Sequence, residues 1–190
     1  VHLFGAGHPL IFPLAVALGC DFFDSSAYAK YANDKRMIFP WGTEKLDNLS
    51  DLPCCCPICS SFTLSELKKM DNDELFLKLA KHNLYVSYAE IKKIKAAISG
   101  GWLWELVERR SNSNPYLLES LKVLEKIENK NWLKLFEPLS KKRALFYTGS
   151  HTIHRPIVNR IHNNLLTRFN FDSNKIIVFP ENKKPYSSRY

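Results

Sequence analysis

No apolar run among the 190 residues approaches the ~20 that a membrane span requires, and no signal-peptide pattern opens the chain. A secreted or membrane-spanning protein is therefore not expected, and the expected compartment is cytoplasmic and reducing. Internal repeats and low-complexity tracts are also missing, which sets aside solenoids and disordered linkers. Acidic residues are in short supply, with 19 Asp and Glu against 27 Lys and Arg, for a net charge of +8. That excess points to a polyanionic partner, with nucleic acid ahead of a membrane surface. Gly5-Ala6-Gly7 has no third glycine at dinucleotide-binding spacing, so a Rossmann fingerprint is not present. What remains is of globular composition, 45% hydrophobic and 24% charged, with twelve Phe, eight Tyr and four Trp for a core. The length suits one domain, or one and a fraction.

The feature around which the chain is organised is Cys54-Cys55-Cys56-Pro57-Ile58-Cys59, which holds four of its five cysteines. In a reducing compartment such density reads as a metal site rather than a disulfide framework. A C-x-C-x-x-C run can wrap three sulfurs around one ion, with Pro57 helping to fix a turn. Zn²⁺ prefers four thiolate or imidazole ligands in a tetrahedron, and a site closed by four protein ligands is structural. His82 is the next histidine downstream, so the expected ligands are Cys54, Cys56, Cys59 and His82, one Zn²⁺ per chain. Spacing alone leaves the register Cys55-x-x-x-Cys59 open, as it does a mere cluster of buried thiols.

Residues 2–4 read as a strand ending in the glycine turn. Residues 8–18 are continuously apolar and read as a buried helix closed by Gly19, with Pro13 in its early turns. Asp21 to Asp24 reads as a second strand, which makes a βαβ unit and implies a parallel sheet. Residues 28–53 are mixed and rich in turn formers. Thr63…Glu66 and Ser87…Glu90 carry capping-box spacing and predict two helices, the first running to about Ala80 with His82 just beyond it. The second presents Ile91, Ile94, Ala97 and Ile98 on one face and stops at Gly100-Gly101. Further helices are predicted at about 102–111 and 115–128, with Pro115 at the first position. A basic connector covers 129–143, followed by a strand at 144–148, a helix from His154 to Phe169 and a strand at 176–179. The domain boundary is expected near 142: residues 1–142 with a zinc module at about 50–100, then 143–190 as a small α+β unit.

In parallel sheets, ligands bind at the C-terminal ends of the strands. Phe4-Gly5-Ala6-Gly7 and Asp24 both fall there. Glycine lets a ligand approach the backbone, Phe4 can stack on a flat ring, and Asp24 can act as a nucleophile or a base. Capping of the following turn is the structural alternative for Asp24. Asp21 is a poor second carboxylate, since residues three apart on a strand face opposite sides. Lys30, Lys35 and Arg36 form a basic group between Asp24 and the cysteines, with Lys30 and Arg36 as candidate RNA phosphate contacts. His2 and His8 flank the glycine turn, as pocket lining or as filling. His151 and His154 read as solvated or RNA-facing rather than as metal ligands.

Four ordered segments carry a resemblance: His2-Leu3-Phe4-Gly5-Ala6-Gly7-His8-Pro9, Gly19-Cys20-Asp21-Phe22-Phe23-Asp24-Ser25, the cysteine cluster, and Lys81-His82-Asn83-Leu84. Together they resemble the tRNA-guanine transglycosylases, and in the Gly-His-Pro and Phe-Asp-Ser-Ser-Ala-Tyr wording the archaeal, archaeosine-forming branch. The resemblance runs through residues 1–140. It implies the C-terminal portion of a zinc-containing (β/α)₈ TIM barrel, followed by the start of an α+β RNA-binding extension. The family's nucleophilic aspartate falls on Asp24, which would attack ribose C1′ and expel guanine. A 7-deazaguanine would then displace the covalent intermediate with retention, as in a retaining glycosidase. The base-stacking position falls on Phe4, backed by Gly5. The zinc ligands fall on Cys54, Cys56, Cys59 and His82, and not on Cys55. The branch inserts 7-cyano-7-deazaguanine in the tRNA D-loop.

The family's first catalytic aspartate, its glutamine-bearing recognition strand and its glycine-rich pocket loop have no counterpart in the sequence. The chain starts Val-His-Leu-Phe without Met and stops at Ser187-Ser188-Arg189-Tyr190. The expectation is a piece of a longer polypeptide or one chain of a split enzyme, working with an N-terminal half of the barrel. A homodimer is a further expected partner. The alternative in a different class is a non-catalytic tRNA-binding or scaffolding paralogue that kept the zinc module. An amide-transfer enzyme of the same pathway is a third reading, disfavoured by Asp24.

Overall fold

The structure, a computed structural model, describes residues 1–123, 133–134, 137–139, 141, 148–168, 170, 172 and 175. It divides into a unit Val1–Asn159 and a unit Arg160–Tyr190. The boundary expected near 142 and the strand expected at 176–179 lie outside the described residues, as does all but Thr148 of the strand expected at 144–148.

The opening βαβ unit forms as the sequence predicts. Strand β1 (His2–Phe4) pairs in parallel with β2 (Phe22–Asp24), in the register His2↔Phe22, Leu3↔Phe23, Phe4↔Asp24. Between them a 3₁₀ turn at Pro9–Ile11 leads into α1 (Phe12–Ala17). Pro13 costs nothing there, because an amide in the first turn of a helix has no acceptor to lose. Gly19 then takes φ +88°, the left-handed conformation that ends a helix most readily without a Cβ. Phe23 turns inward and its ring lies 4.4 Å from that of Phe12. The other face of the strand pair carries His2, Phe4, Phe22 and Asp24 and is exposed.

Residues 27–45, mixed in the sequence, are a helix followed by a hairpin: α2 (Ala27–Asn33), then β3 (Arg36–Phe39) antiparallel to β4 (Gly42–Lys45). The strand was hidden because Met37, Ile38 and Phe39 are all buried, so the alternation that announces a strand is absent. Two short helices follow, α3 (Pro57–Ser61) and α4 (Leu64–Lys69). The expected capping box at Thr63 and Glu66 forms with both hydrogen bonds in place.

One expectation is overturned. The helix expected from Thr63 to about Ala80 breaks after Lys69, where Asp71 caps a new start, and in place of a second break near Ala80 a single 28-residue helix α5 runs Asn72–Ser99, with His82 inside it rather than past an end. Asp71 caps it, accepting from the amides of Asp73 and Glu74. No Gly or Pro interrupts 81–87. Ser87 donates its hydroxyl back to the Asn83 carbonyl at 2.9 Å instead of capping a new helix. Glu90, assigned to that capping box by its spacing, is buried and takes a bidentate pair from Arg110, both bonds at 2.7 Å. The helix stops at Gly100, as expected. Then come α6 (Leu103–Ser111), α7 (Pro115–Val123) and α8 (Pro156–Arg168). Residues 124–128, and Phe169 at the end of the last predicted helix, lie outside the described residues.

Two hydrophobic clusters result. One joins Phe12, Leu14 and Ala17 of α1 to Ile94 and Ala97 of α5 and to Leu103, Trp104, Leu106 and Val107 of α6. The other joins Ala32, Met37, Phe39 and Leu46 to Ile58, Leu67, Leu75, Leu79 and Ala80, with Cys54, Cys56 and Cys59 packed against it. At ~1.5 Å per residue α5 is about 42 Å long, enough to serve both.

Candidate functional site

The cysteine segment brings three sulfurs to one imidazole. Pro57 opens α3 at its first turn, and the helix sets Cys59 one turn beyond Cys56. The Cys56 amide donates to the Cys54 sulfur at 3.4 Å, folding the C-x-C turn inward. Cys56 and Cys59 Sγ each lie 3.3 Å from His82 Nδ1. One ligand atom each from Cys54, Cys56, Cys59 and His82 falls within 4.8 Å of the others. Cys55 is exposed and outside the group, so the register left open by spacing is the one with Cys54.

The imidazole is prepared as a ligand by its other nitrogen. Nε2–H donates to the Ile38 carbonyl at 2.9 Å, which leaves the Nδ1 lone pair facing the sulfurs. His82 is fully buried, and burial holds its pKa below the ordinary histidine value, so it stays neutral. The thiols of Cys54 and Cys59 are displaced the other way. Burial pushes Cys59 strongly up, and the adjacent Cys56 and Cys54 sulfurs push it further. Cys54 is likewise raised by burial, against the opposing Cys56 amide. A cation among the sulfurs reverses that preference, because only the thiolate is a ligand and the metal stabilises it. Three thiolates and one imidazole make a donor set that can hold a metal ion.

The second group is the exposed sheet face. Phe4 and Asp24 are register partners, and the Gly5 amide donates to the Asp24 carbonyl at 2.7 Å. Phe4 is 81% exposed and Phe22 70%, with His2 edge-on to Phe4 at 6.4 Å. Gly5 has φ +81°, a conformation that favours glycine, and its turn is held by Ser25, whose hydroxyl donates to the Gly5 carbonyl at 3.4 Å. A side chain at Gly7 would collide with Ser25 and Ala27. The glycines thus let the turn close directly over the residue that follows Asp24.

A family model described as queuine tRNA-ribosyltransferase matches residues 1–116. The chain belongs to that family. Among its relatives, the tRNA-guanine(15) transglycosylases of Methanocaldococcus jannaschii and Methanococcus vannielii are 47% and 48% identical over 98% of this chain. That of Methanosphaera stadtmanae is 43% identical, also over 98%. These matches support its place in the archaeal branch of the queuine tRNA-ribosyltransferase family. The chain spans only 28%, 29% and 27% of those relatives' lengths.

The remaining residues singled out in this queuine tRNA-ribosyltransferase relative fall as follows. Lys30 is exposed on α2. Arg36 is half-buried and its guanidinium bonds the Thr43 hydroxyl at 3.1 Å and carbonyl at 3.4 Å, so it braces the β3–β4 hairpin. His8 is half-buried: Nδ1 accepts from the Leu10 amide at 3.1 Å, and burial holds its pKa below the ordinary value, against a backbone bond with Gly42. His151 is buried, not solvated as the sequence suggested, and its Nε2 meets the Thr148 hydroxyl at 3.1 Å. That hydroxyl also donates to Glu108 at 2.9 Å, and a histidine with this partner has no need of solvent. His154 is exposed, as expected.

Asn83 is the residue whose role spacing did not reveal. It accepts from the Ile38 amide at 2.7 Å and donates to the carbonyls of Tyr28 at 3.0 Å and Arg36 at 3.2 Å. With His82 it therefore takes both backbone groups of Ile38. The available signal was an asparagine next to a candidate metal-ligating histidine, in a stretch with no turn former to explain it.

Proposed function

We propose that this chain supplies the nucleophile and the metal module of a tRNA-guanine transglycosylase of the archaeosine-forming type, as the C-terminal portion of its (β/α)₈ barrel. In this reading the Asp24 carboxylate attacks ribose C1′, and the C1′–N9 bond to guanine breaks as the Asp24–C1′ ester forms. The N9 of a 7-deazaguanine, 7-cyano-7-deazaguanine in this branch, then attacks C1′ from the face that guanine left, opposite Asp24: the C1′–O bond breaks as the C1′–N9 bond forms, and N9 gives up its proton, matching the one guanine takes up on leaving. The carboxylate is regenerated and configuration is retained. Phe4 stacks on the base, and Gly5 lets it approach the backbone. Lys30 contacts tRNA phosphate, and Arg36 does so through whatever part of its guanidinium the hairpin leaves available. The observation that carries the reading is the β1–β2 register, which sets an exposed carboxylate opposite an exposed aromatic ring at the strands' C-terminal ends.

The metal is Zn²⁺ in this proposal, one per chain. About 2.3 Å to sulfur and about 2.0 Å to nitrogen suit the spacing of the four ligand atoms. With four protein donors it has no open position, so it organises the fold and takes no part in base exchange. Because the chain spans under a third of its relatives' length, the proposed activity is that of the chain together with the rest of the barrel. Residues 143–190 would begin an RNA-binding extension.

Labelled-guanine exchange into unmodified tRNA tests this, with the chain alone and with a polypeptide carrying the preceding barrel segment. Exchange in the mixture, abolished by Asp24→Asn while tRNA binding persists, is the expected result. Exchange that survives Asp24→Asn removes the assignment. Binding without exchange in either arrangement moves the reading to a tRNA-binding scaffold that retained the metal module.

A further inference from the structure

The face of α5 that points away from both cores has a composition unlike an ordinary solvated helix face. Leu77, Lys81, Tyr85, Tyr88, Lys92 and Lys95 recur at intervals of three, four or seven residues and share one stripe along the helix. All are exposed, Tyr85 by 45% and Tyr88 by 64%. From Lys81 onward the stripe contains no acidic residue. Glu74, one step before it, is engaged by Lys78, and Glu90 is buried under Arg110 and Lys93. Among the described residues, Lys81, Lys92 and Lys95 have no carboxylate partner. Between Lys81 and Lys95 the stripe is about 21 Å long, and the two tyrosines lie between its lysines.

We propose that this stripe is a docking surface for an RNA strand, with Lys81, Lys92 and Lys95 against phosphates and Tyr85 and Tyr88 against unpaired bases. The charge pattern decides between occupants. Packing this face against another protein surface would take three unpaired ammonium groups out of water, at a cost that apolar contacts of two tyrosines and a leucine do not offset. A phosphate backbone supplies the missing counter-charge and releases its own condensed ions, while the tyrosines stack on bases of any sequence. The net charge of +8 acts in the same sense at longer range. The inference rests on the transglycosylase reading only for the kind of RNA, and it concerns a face separate from the residues assigned to base exchange.

The test uses the full chain with unmodified tRNA, in a titration of affinity against salt. The variant K81A/K92A/K95A should bind at least tenfold more weakly at 0.1 M salt. Its slope of log K on log salt should be shallower by roughly 0.7–0.9 for each phosphate that no longer meets a lysine. Tyr85→Ala and Tyr88→Ala should each weaken binding about tenfold, and the Phe replacements should restore it, because stacking needs the ring and not the hydroxyl. Unchanged affinity and slope in the triple variant, with circular dichroism and metal content also unchanged, would overturn the proposal. So would tRNA binding that is absent from the starting chain. A variant that changes the sedimenting mass but not the tRNA affinity would assign the face to a protein contact instead. If tRNA binding responds as stated but no exchange occurs even with the preceding barrel segment added, the docking surface stands and the transglycosylase reading fails.

Discussion

The two ends of α5 are buried by different means. Its C-terminal half enters a cluster of large aliphatic and aromatic side chains from α1 and α6, and one bidentate Glu90–Arg110 pair ties it down. Its N-terminal half enters a cluster assembled from short elements: a four-residue hairpin strand, a five-residue helix and a six-residue helix. Elements that short bury little surface each and do not hold together by packing alone. There the interior is cross-linked by the cysteine–histidine group and by side chains that bond to backbone. The comparison teaches where a metal would serve the fold. The half built of longer helices packs without one, and the half built of fragments has a four-donor set at its centre.

The largest effect expected from breaking this contrast is metal removal. Chelation, or Cys56→Ser, should abolish amide-exchange protection in residues 36–82 and leave α6 protected. The proposed structural zinc would contribute on the order of 10 kcal/mol to the fold that binds it. Simultaneous loss of protection in both halves would show that the two clusters are one cooperative unit. Next in size, Glu90→Ala should destabilise by about 3 kcal/mol, because it leaves the Arg110 guanidinium largely buried and unpaired. Thermal melting checks this, and metal content should stay at the starting value. Asn83→Ala should cost about 1–3 kcal/mol for the orphaned Ile38 amide. It should also weaken metal binding roughly 10–100-fold, since it loosens the strand that orients His82. A competition titration against a chromophoric chelator reads the second number.

The smallest effect is a pH slope at His8. In the unfolded chain His8 takes up a proton near its ordinary value of about 6.5, and in the folded chain only at lower pH. Below about 6.5 the unfolded state therefore binds more protons, and stability is lost as pH falls through that window. Above it the contribution is constant. Melting temperatures at pH 8 and pH 5.5 should differ less in His8→Asn than in the starting chain; an equal difference would show that the slope originates elsewhere.

The comparison also explains what could be read from the sequence. The βαβ unit was legible because strand, helix and strand are each punctuated by a glycine with positive φ, at Gly5 and Gly19. The group that could hold a metal was legible because three of its four residues lie within six positions. The course of α5 was not, because Ser87 and Glu90 have capping-box spacing and nothing local says that Glu90 answers an arginine 20 residues away. The strand β3 was obscured for a related reason. Its inner and outer faces are both covered, so its hydrophobicity does not alternate, and its role is set by a helix that begins more than 30 residues later.

The way α5 holds β3 bears on how the chain behaves in company. In the β3–β4 register, the outward-pointing groups of β3 are those of Ile38 and Arg36. Asn83 and His82 occupy the Ile38 amide, the Ile38 carbonyl and the Arg36 carbonyl in turn. For these three groups a helix has taken the place of a neighbouring strand, so Ile38, in the middle of the apolar run Met37-Ile38-Phe39, offers no free backbone group to another molecule. In the proposed metal-bound state, losing the ion would release the sulfur side of His82, one of the two residues that seal this edge. An ion held by the four donors would therefore also guard against strand-to-strand aggregation, and chelation is expected to raise turbidity.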